Sequence, residues 1–393
     1  MKLRIGVIFG GETVEHEVSI ISAVQAMKAL NEDKYEIVPI YITKEKEWYT
    51  GNLLKDIENY QDLDNLKRFG KKIVLYNKDG HFVLQSKNWF KRVITEIDIA
   101  FPIVHGVNVE DGTIAGYLNL IGIPYIGSDV YASAVGQDKI FMKQIFEAEK
   151  LPVSKYIWFF DNEYKEDPKA IMERAKKLNF PVIVKPSRLG SSIGISKVKI
   201  IGDLENAIEE AIQYDAKIVI EEVVNNLIEV NCSVLGNYEY QQTSEIEQVM
   251  GKDEFLSFKD KYLGNGKSGK SKGMVSTDRK IPADISDELK KEVRSLAKKA
   301  FRVLNSAGVC RIDFLIDKKT NKIYLNEINS IPGSLSFYLW EPVGKDYPNL
   351  VDDLVSLAIK DYKRKIKMTY SFETNILQNY SGLKGSKGKL KKF

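Results

Sequence analysis

The residues best suited to chemistry include a lysine at the end of a strand-like apolar run, followed by a turn of small residues. The run 180–184 leads into Lys185, and the segment 187–194 contains three serines and two glycines. Small residues allow backbone N–H groups and hydroxyls to approach a phosphate chain closely. The segment therefore indicates a phosphate-binding loop, and an ordinary hairpin turn is the alternative interpretation.

A second group of polar residues lies on two strand-like segments near the end of the chain. Arg311 and Asp313 are two residues apart, as are Glu327 and Asn329, so each pair shares a strand face. A hairpin that turns about Thr320 would place Asp313 opposite Glu327 and Arg311 opposite Asn329. Two carboxylates and an amide oxygen suit Mg²⁺. A solvated polar face is the alternative, but apolar neighbours indicate a buried hairpin, in which unpaired carboxylates are costly.

Two further segments have weaker chemical signatures. Glu221 and Glu222 end an apolar run, and Glu229 follows seven residues after Glu222, which suggests a hinge that holds adenine and ribose. Exposed glutamates are the alternative interpretation. Residues 264–271 match the pattern GxxxxGK[ST], but neither a buried strand before it nor a helix after it is expected. We therefore expect a mobile basic loop there and not a phosphate-binding P-loop.

The first third of the chain alternates strand-like and helix-like segments. This alternation predicts a parallel sheet with ligands gathered beyond the carboxyl ends of its strands, where Gly10 and His105 fall. The expected strands are 3–9, 36–42, 97–103 and 123–126, and the expected helices are a segment ending near residue 30 and 112–121.

After about residue 137, helices and strands are interleaved differently. The expected helices are 138–148, 167–178, 202–213, 285–305 and 349–362. The expected strands are 180–185, 194–198, 217–222, two within 227–249 joined at Gly236, and then 309–317 and 322–328. The fold class is therefore a multidomain protein of the α/β and α+β type.

Composition excludes several classes of protein. The chain has 393 residues, of which 44% are apolar and 28% charged, so it is neither wholly disordered nor collagen-like. Two cysteines, Cys232 and Cys310, cannot form a disulfide framework and fit a reducing compartment. The apolar run after Arg4 is too short for a signal peptide, and no run approaches the length of a membrane span. We expect a soluble cytoplasmic protein with no membrane partner.

The net charge of +4 comes from the C-terminal tail. Residues 371–393 contain five lysines and one acidic residue, which leaves 53 basic and 53 acidic residues in 1–370. The tail is polar and is expected to be disordered. The neutral body gives no indication of a nucleic-acid partner.

Together these motifs resemble the nucleotide and magnesium site of the ATP-grasp superfamily. Over residues 3–365 the chain resembles, more narrowly, the D-alanine–D-alanine ligases. The matching segments are 10–19 (GGETVEHEVS), 105–106 with 110–112 (HG, EDG), 122–128 (GIPYIGS), 138–139 (DK), 261–263 (KYL), 282–283 (PA) and 329–333 (NSIPG).

The resemblance implies three domains and a tail. An N-terminal parallel α/β, or pre-ATP-grasp, domain at 1–130 would bind substrate, and a central ATP-grasp subdomain at 131–224 would carry the phosphate loop. A C-terminal ATP-grasp subdomain at 225–370 would carry the metal site and a mobile loop at about 257–276, followed by a basic tail at 371–393. A homodimer is also expected from the family.

The resemblance also implies an activity and its residues. ATP would phosphorylate one D-alanine, and a second would attack the acyl phosphate to give D-alanyl-D-alanine for peptidoglycan precursors. The implied nucleotide-binding residues are Lys139, Lys185, Ser191, Ser192, Glu221, Glu222 and Glu229. Two Mg²⁺ or Mn²⁺ ions would bind Asp313, Glu327 and Asn329. The implied catalytic residues are Glu15, His105, Ser191, Lys261, Tyr262, Arg311 and Gly333, and Glu15, Tyr338 and Leu339 would bind substrate.

Departures from the family pattern concern mainly the second substrate. Thr13 replaces the usual serine, Val107 to Val109 make one loop bulkier, and Tyr338 occupies a serine position that contacts the second carboxylate. Tyr262 favours D-alanine, because relatives that accept D-lactate carry histidine there. A ligase using D-serine, D-lactate or another amino acid remains an alternative, as does a non-catalytic nucleotide-binding protein. Taken alone, either His16 or His105 would be expected to have a structural role rather than a catalytic one.

Overall fold

The computed structural model describes residues 2–190, 193–250 and 279–371. Its N-terminal part is a seven-stranded sheet in the order β6-β5-β4-β3-β2-β1-β7. The strands are β1 Leu3–Gly10, β2 Tyr35–Ile42, β3 Trp48–Thr50, β4 Lys71–Lys78, β5 His81–Ser86, β6 Val93–Ile97 and β7 Ile99–Ile103. The helices of this part are α1 His16–Ala29, α2 Leu63–Phe69 and α3 Thr113–Ile121, with short 3₁₀ turns at Asn52–Lys55 and Ile57–Gln61.

The predicted parallel sheet is confirmed for three of its strands. β1 pairs in parallel with both β2 and β7. The sequence prediction gave no bounds for β3 to β6, which form antiparallel pairs beyond β2. The predicted strand at 123–126 is wrong, because only Tyr125 forms a bridge, to Ala100. Pro124 has no N–H to donate and Gly127 turns the chain with a φ of 112°, so the pairing does not extend.

The second sheet is antiparallel and has the order β10-β9-β11-β8. Its strands are β8 Tyr156–Phe160, β9 Val182–Pro186, β10 Ser196–Val198 and β11 Lys217–Glu222. The helices of this region are α4 Val130–Gln137, α5 Lys139–Ala148, α6 Asp161–Glu166, α7 Pro168–Ala175 and α8 Leu204–Ile212, with a 3₁₀ turn at Ile201–Asp203. Apolar residues of α7 and α8 pack with Val182 and Val184 in one buried cluster.

The third sheet has the order β14-β13-β12-β15-β16, and all its pairs are antiparallel. Its strands are β12 Leu227–Gly236, β13 Gln241–Val249, β14 Arg279–Lys280, β15 Gly308–Asp317 and β16 Lys322–Asn329. The helices are α9 Asp287–Val303 and α10 Tyr347–Lys365, with 3₁₀ segments at Gly333–Leu339 and Glu341–Val343.

Alternation along the strands of the third sheet gives it one apolar and one polar face. Val230, Cys232 and Val234 of β12 pack in one core with Ile312 of β15 and with Val293 of α9. Successive strand residues point to opposite faces, so the residues between them face away from α9. This second face carries the polar residues described next. No helix among the described residues has the length and apolar character needed to cross a membrane.

Candidate active site

A row of four polar residues crosses the third sheet from β13 to β16. Glu247 pairs with Asn231, Asn231 with Asp313, and Asp313 with Glu327. Side chains of directly paired residues lie on the same face of a sheet. The register therefore places three carboxylates and an amide side by side on the face opposite α9.

The strand register predicted from the sequence is confirmed at the hairpin of β15 and β16. Asp313 pairs with Glu327, and Arg311 pairs with Asn329. A bulge follows Asp313, so that Phe314 pairs with Leu325. The extra residue lies on β16, so Leu325 packs in the apolar core beside Phe314, while Glu327, two residues further on, stays on the polar face.

Most of the predicted site residues that the structure describes line a single pocket above this polar row. They are Glu15, His105, Lys139, Glu229, Arg311, Asp313, Glu327, Asn329, Gly333 and Tyr338. A second, more apolar cavity beside α10 is lined by none of the predicted residues. The predicted chemistry is thus concentrated in the pocket that all three sheets approach.

Lys139 reaches this pocket from the first turn of α5. The side chain of Asp138 caps the helix by accepting hydrogen bonds from the N–H groups of Ile140 and Phe141. The Nζ of Lys139 donates to the carbonyl of Leu189 at 2.8 Å and lies 3.8 Å from Glu327 Oε2. Burial lowers the pKa of Lys139, although the Glu327 charge opposes the shift. The ammonium therefore joins the carbonyl of Leu189 to the carboxylate of Glu327 on β16.

Lys185 and Glu221 form a buried ion network beside the pocket. Glu221, only 1% exposed, contacts Lys185 and accepts a hydrogen bond from Ser154 Oγ at 2.9 Å. Its Oε2 also lies 2.8 Å from Lys143 Nζ. Burial alone would raise the pKa of Glu221, but the two lysine charges outweigh it and lower that pKa. The Glu221 carboxylate is therefore held between lysines in this structure.

Besides Lys185 and Glu221, two further predicted binding residues lie outside the pocket lining. Glu222 accepts hydrogen bonds from the backbone and side-chain N–H groups of Asn179 and lies 3.5 Å from Lys155 near the surface. Leu339 is fully buried. The side chain of Leu339 is therefore not available to a substrate in this conformation.

Arg311 and Asp313 are joined by a bidentate ion pair. Arg311 Nε and Nη2 donate to the two Asp313 oxygens, each at 2.7 Å, and Asn329 Nδ2 donates to Oδ2 at 3.1 Å. Burial lowers the pKa of Arg311, but the Asp313 charge outweighs it, and the pKa lies well above its usual value. The guanidinium is therefore permanently charged at the pocket wall.

The donor set of the hairpin fits a hard divalent cation. Asp313 is 3% exposed, and Glu327 and Asn329 line the same pocket on the neighbouring strand. Two carboxylates and an amide oxygen on one face are the hard oxygen ligands that Mg²⁺ prefers. The hydrogen bond between Asn329 and Asp313 already brings two of these side chains together.

Gly333 begins a left-handed turn that connects β16 to α10. Ser334, Leu335 and Ser336 all have φ between 51° and 53°, a conformation that costs L-residues roughly 1–2 kcal/mol each. The backbone N–H of Ser334 donates to Ser22 Oγ of α1 at 2.8 Å. Ser22 thus anchors the turn that presents Gly333 to the pocket.

His105 and Glu110 connect the N-terminal sheet to the same turn. His105 Nε2 lies 3.2 Å from Ser22 Oγ, and burial lowers the pKa of His105 to about 4. Glu110 accepts hydrogen bonds at 2.9 Å from Gly106 N–H, Ser330 Oγ and Ile331 N–H. Burial, together with the Glu15 charge, raises the pKa of Glu110 to about 7.

Glu15 lies just before α1 and between two glycine-containing loops. A Cβ placed on Gly106 would lie 3.2 Å from Glu15 Oε2, and one on Gly190 would lie 3.3 Å from it. The other motif histidine, His16, is enclosed by the Gly11 carbonyl at 2.6 Å and the Tyr41 hydroxyl at 3.0 Å. His16 therefore has the structural role that was expected for it.

Several predictions concern residues outside the described part of the chain. These are Ser191 and Ser192 of the phosphate loop, Lys261 and Tyr262, the basic stretch with the P-loop pattern, and the C-terminal tail. They stay predictions.

The sequence prediction missed five residues that the structure brings to the pocket or its support. They are Ser22, Glu110, Asn231, Glu247 and Arg279. Glu110 was part of a recognised motif without an assigned role. Asn231 alternates with apolar residues in β12, which is a signal that a pattern search could have used. Glu247 and Arg279 become neighbours only through the pairing of β13 with β14.

The three-sheet arrangement, with a polar hairpin face that Lys139 of α5 approaches, defines an ATP-grasp ligase fold. Models for the D-ala D-ala ligase N-terminus and C-terminus match residues 4–128 and 145–356. The D-alanine–D-alanine ligase of Thermosipho melanesiensis is 38% identical over 377 residues, covering 96% of this chain and 98% of that protein. The chain belongs to the D-alanine–D-alanine ligase family, and it is an enzyme.

Solved structures support the same assignment. The D-alanine-D-alanine ligase from Coxiella burnetii has a TM-score of 0.79 and 28% identity, covering 93% of this chain and 96% of that one. The VanG D-Ala:D-Ser ligase from Enterococcus faecalis has a TM-score of 0.77 and 29% identity, covering 91% of this chain and all of the other. The predicted fold is confirmed, and the family implies ATP-dependent ligation of small molecules, generally with Mg²⁺.

Proposed function

We propose that the protein joins two D-alanines into D-alanyl-D-alanine through an acyl phosphate, for peptidoglycan precursors in the cytoplasm. The observation that carries the proposal is the strand register, which places Asp313 beside Glu327 and Arg311 beside Asn329. A pocket with metal-type carboxylates, a fixed guanidinium and a buried lysine suits phosphoryl transfer to a carboxylate followed by acyl transfer.

In this proposal Asp313, Glu327 and Asn329 hold two Mg²⁺ or Mn²⁺ ions. When bound, these ions neutralise charge on the phosphates of ATP. Lys139 and Lys185 hold phosphate oxygens as point charges. Lys139 is positioned for this role because its Nζ lies 3.8 Å from Glu327. Ser191 and Ser192 complete the phosphate loop, and Glu221, Glu222 and Glu229 serve the nucleotide.

The acyl centre would lie near Arg311 and Gly333. The Arg311 guanidinium and the Gly333 N–H stabilise the oxyanion that forms when the amine attacks the acyl phosphate. Because Asp313 fixes the guanidinium through two hydrogen bonds, the positive charge is in place before the reaction. Glu15 accepts the ammonium of the first D-alanine. His105, with a pKa of about 4, stays neutral beside the pocket at physiological pH.

The remaining parts of the proposal follow the family. Lys261 and Tyr262 close over the bound substrates, and Tyr338 and the backbone of Leu339 contact the second substrate. The three-domain division at residues 130 and 224 is supported by three separate sheets. The homodimer also belongs to this proposal.

A second candidate differs only in the second substrate. Tyr338 lines the pocket at the position where the family pattern has serine. A phenol places its hydroxyl farther from the backbone than serine does, which would alter the space for the second carboxylate. D-serine is therefore the first alternative to test, followed by D-lactate.

The test is ligation by the purified full chain with ATP, Mg²⁺ and D-alanine. We expect ADP, phosphate and dipeptide in equal amounts, and the Asp313→Ala and Glu327→Ala variants should lose turnover at saturating ATP. Phosphate release that requires D-serine or D-lactate would replace the proposed substrate while keeping the reaction class. Full activity of Asp313→Ala would contradict the assignment of the metal site.

A further inference from the structure

One edge of the N-terminal sheet exposes three aromatic rings to solvent. Phe69, at the end of α2, is 65% exposed, and Trp89 and Phe90, in the turn between β5 and β6, are 93% and 85% exposed. Single apolar residues are common on protein surfaces, but grouped exposed rings mark a surface that another molecule covers. These rings therefore call for a binding partner.

Two adjacent segments form this surface. The first is 68–71, where α2 leads into β4, and the second is 87–92, the turn between β5 and β6. They meet because β4 pairs with β5, and the N–H of Lys87 donates to the carbonyl of Lys72 at 2.9 Å. We refer to the two segments together as the basic aromatic edge.

The basic aromatic edge is also positively charged. No acidic residue occurs within 65–78 or 81–95. Five cations of the edge form no ion pair with any residue that the structure describes: Arg68, Lys71, Lys87, Lys91 and Arg92. Aromatic rings enter the head-group region of a membrane, and basic residues beside them are attracted to anionic lipids. The combination is typical of proteins that bind a membrane at its surface.

The turn that carries Trp89 has a defined backbone conformation. The N–H of Ser86 donates to the carbonyl of Arg92 at 2.9 Å, and Gln85 Nε2 donates to the carbonyl of Lys91 at 2.7 Å. Lys91 itself has a φ of 46°, in the left-handed region that closes tight turns. Because the turn is already formed, binding requires little further ordering of the backbone.

The basic aromatic edge lies at the opposite end of the sheet from the active-site pocket. The pocket is beyond the carboxyl end of β1, where Glu15 follows. β1 and β2 are parallel, and β3 is antiparallel to both β2 and β4, so β4 runs in the same direction as β1. The edge is at the start of β4, and none of its residues lines the pocket. A surface bound there would leave the pocket open to substrates.

We propose that the basic aromatic edge binds the surface of a membrane that carries anionic lipids. Trp89 and Phe90 enter the head-group region with Phe69 beside them, and the five cations face the lipid phosphates. This contact goes beyond the proposed function and does not depend on it. The expectation of no membrane partner rested on the lack of a membrane-spanning run, which a contact at the surface does not require.

A nucleic acid is another polyanion that aromatic and basic residues bind. Single-stranded nucleic acids are held in a groove that follows their backbone, where bases stack on the rings. Trp89 and Phe90 instead stand on an exposed turn, and they line neither the active-site pocket nor the cavity beside α10. Rings on an exposed turn are better placed to enter a lipid surface.

The experiment is co-sedimentation of the full-length protein with lipid vesicles at low ionic strength. One set contains equal parts of phosphatidylglycerol and phosphatidylcholine, and the other contains phosphatidylcholine alone. We expect binding to the anionic vesicles only, weakened by added salt. The double variant Lys87→Gln, Arg92→Gln should bind about thirtyfold more weakly, since each cation near such a surface contributes about fivefold. The double variant Trp89→Ser, Phe90→Ser should lose at least about tenfold.

Tryptophan fluorescence provides a second measurement. Trp89 is the most exposed of the four tryptophans, and Trp340, for example, is fully buried. Phosphatidylglycerol with bromine-labelled acyl chains should therefore quench the wild-type emission through Trp89. Trp89→Phe should keep the binding of the wild type and lose most of this quenching.

Exposed residues elsewhere in the chain provide matched controls. Lys78 is an exposed lysine at the other end of β4, and Tyr131 is an 80% exposed ring on α4. The double variant Lys78→Gln, Tyr131→Ser should bind anionic vesicles like the wild type. All variants should keep the wild-type urea midpoint, because every changed side chain is exposed.

The outcomes separate the lipid contact from other partners and from the proposed function. A wild type that does not bind anionic vesicles overturns the proposal, as does an equal loss of binding in the control variant. If the edge instead binds an RNA oligonucleotide, or if its variants turn a dimer into a monomer, without vesicle binding in either case, the partner is a nucleic acid or a second copy. Vesicle binding is measured without ATP or amino acids, so its failure leaves the proposed function standing, and a wild type that forms no dipeptide leaves the lipid contact standing.

Discussion

Replacement of Glu221 by glutamine should destabilise the protein strongly while its neighbour Glu222 tolerates the same change. Glu221 is 1% exposed and is held between Lys143 and Lys185, which are also buried. The variant leaves two buried ammonium groups without their counter-charge. Breaking a buried ion pair from one side costs about 3–5 kcal/mol, and a remaining hydrogen bond to the amide oxygen returns about 1 kcal/mol. We therefore expect a loss of about 3 kcal/mol in the free energy of unfolding.

Glu222 provides the control because it is adjacent and bears the same side chain. Its side chain is 21% exposed, and its ionic partner Lys155, at 3.5 Å, is 58% exposed. An ion pair this exposed contributes about 0–1 kcal/mol to the free energy of unfolding. Its hydrogen bonds from Asn179 can be accepted equally by a glutamine oxygen. The free energy of unfolding of Glu222→Gln should therefore lie within about 1 kcal/mol of the wild-type value.

The assay is urea unfolding at neutral pH, together with hydrogen exchange of the strand pair β8 and β11. Hydrogen exchange is included because a chain with three sheets can open locally before it unfolds globally. The pH dependence adds an independent check. The folded pKa of Glu221 is lowered, so its stabilisation is present above the unfolded value of 4.5 and is lost as pH falls through the folded pKa. The difference between wild type and variant should thus shrink in acid.

One result would refute the reasoning. If Glu221→Gln unfolds like Glu222→Gln but has a raised KM for ATP, the carboxylate contacts nucleotide and does not balance the lysines. That result would keep the nucleotide role proposed for Glu221 and remove its structural role.

Three further changes test the parts that connect the N-terminal sheet to the pocket and hold the phosphates. Glu110→Gln should become more stable than the wild type as the pH rises from 4.5 through about 7, because the raised pKa of Glu110 makes its ionised form unfavourable in the folded state. Urea unfolding at several pH values in this range measures the difference in the free energy of unfolding. Ser22→Ala removes the acceptor of the Ser334 N–H and should lower kcat about tenfold without changing the KM for ATP, as steady-state kinetics will show. Lys139→Met should raise the KM for ATP at least about tenfold with little loss of unfolding free energy, since the lysine is already desolvated; unchanged ATP kinetics would exclude a phosphate contact.

Sequence patterns predicted much of this fold because they act locally. The helix and strand periods located α5, β9, β15 and β16, and the two-residue spacing of Arg311 and Asp313 predicted their shared face. The residue pairing between β15 and β16 could be predicted because a short turn fixes which residues lie opposite each other. Strands β3 to β6 were missed because their apolar alternation is interrupted by charged residues, so the pattern there is weak.

The parts of the site that were not predictable depend on contacts between distant segments. The sequence left Glu221 as either a nucleotide-binding hinge residue or an exposed glutamate, and only the packing of α5 against β11 shows that Lys143 neutralises it. Ser22 and Ser334 are 312 residues apart, and no local pattern relates them. The left-handed turn after Gly333 could not be predicted either, because residues 334–336 include no glycine that would indicate positive φ.

The supports of Gly333 explain why this strained turn can persist. Three consecutive L-residues with positive φ cost roughly 3–6 kcal/mol together, so surrounding contacts must hold the turn in place. Ser22 binds the N–H of Ser334, Glu110 binds the N–H of Ile331 on the other side of Gly333, and Leu335 is buried in the core of the N-terminal sheet. All three contacts come from the N-terminal sheet or its loops, whereas Arg311 comes from β15 of the third sheet. The two groups assigned to the oxyanion are therefore aligned only while these two sheets stay docked, which makes that docking a requirement for acyl transfer and not merely for stability.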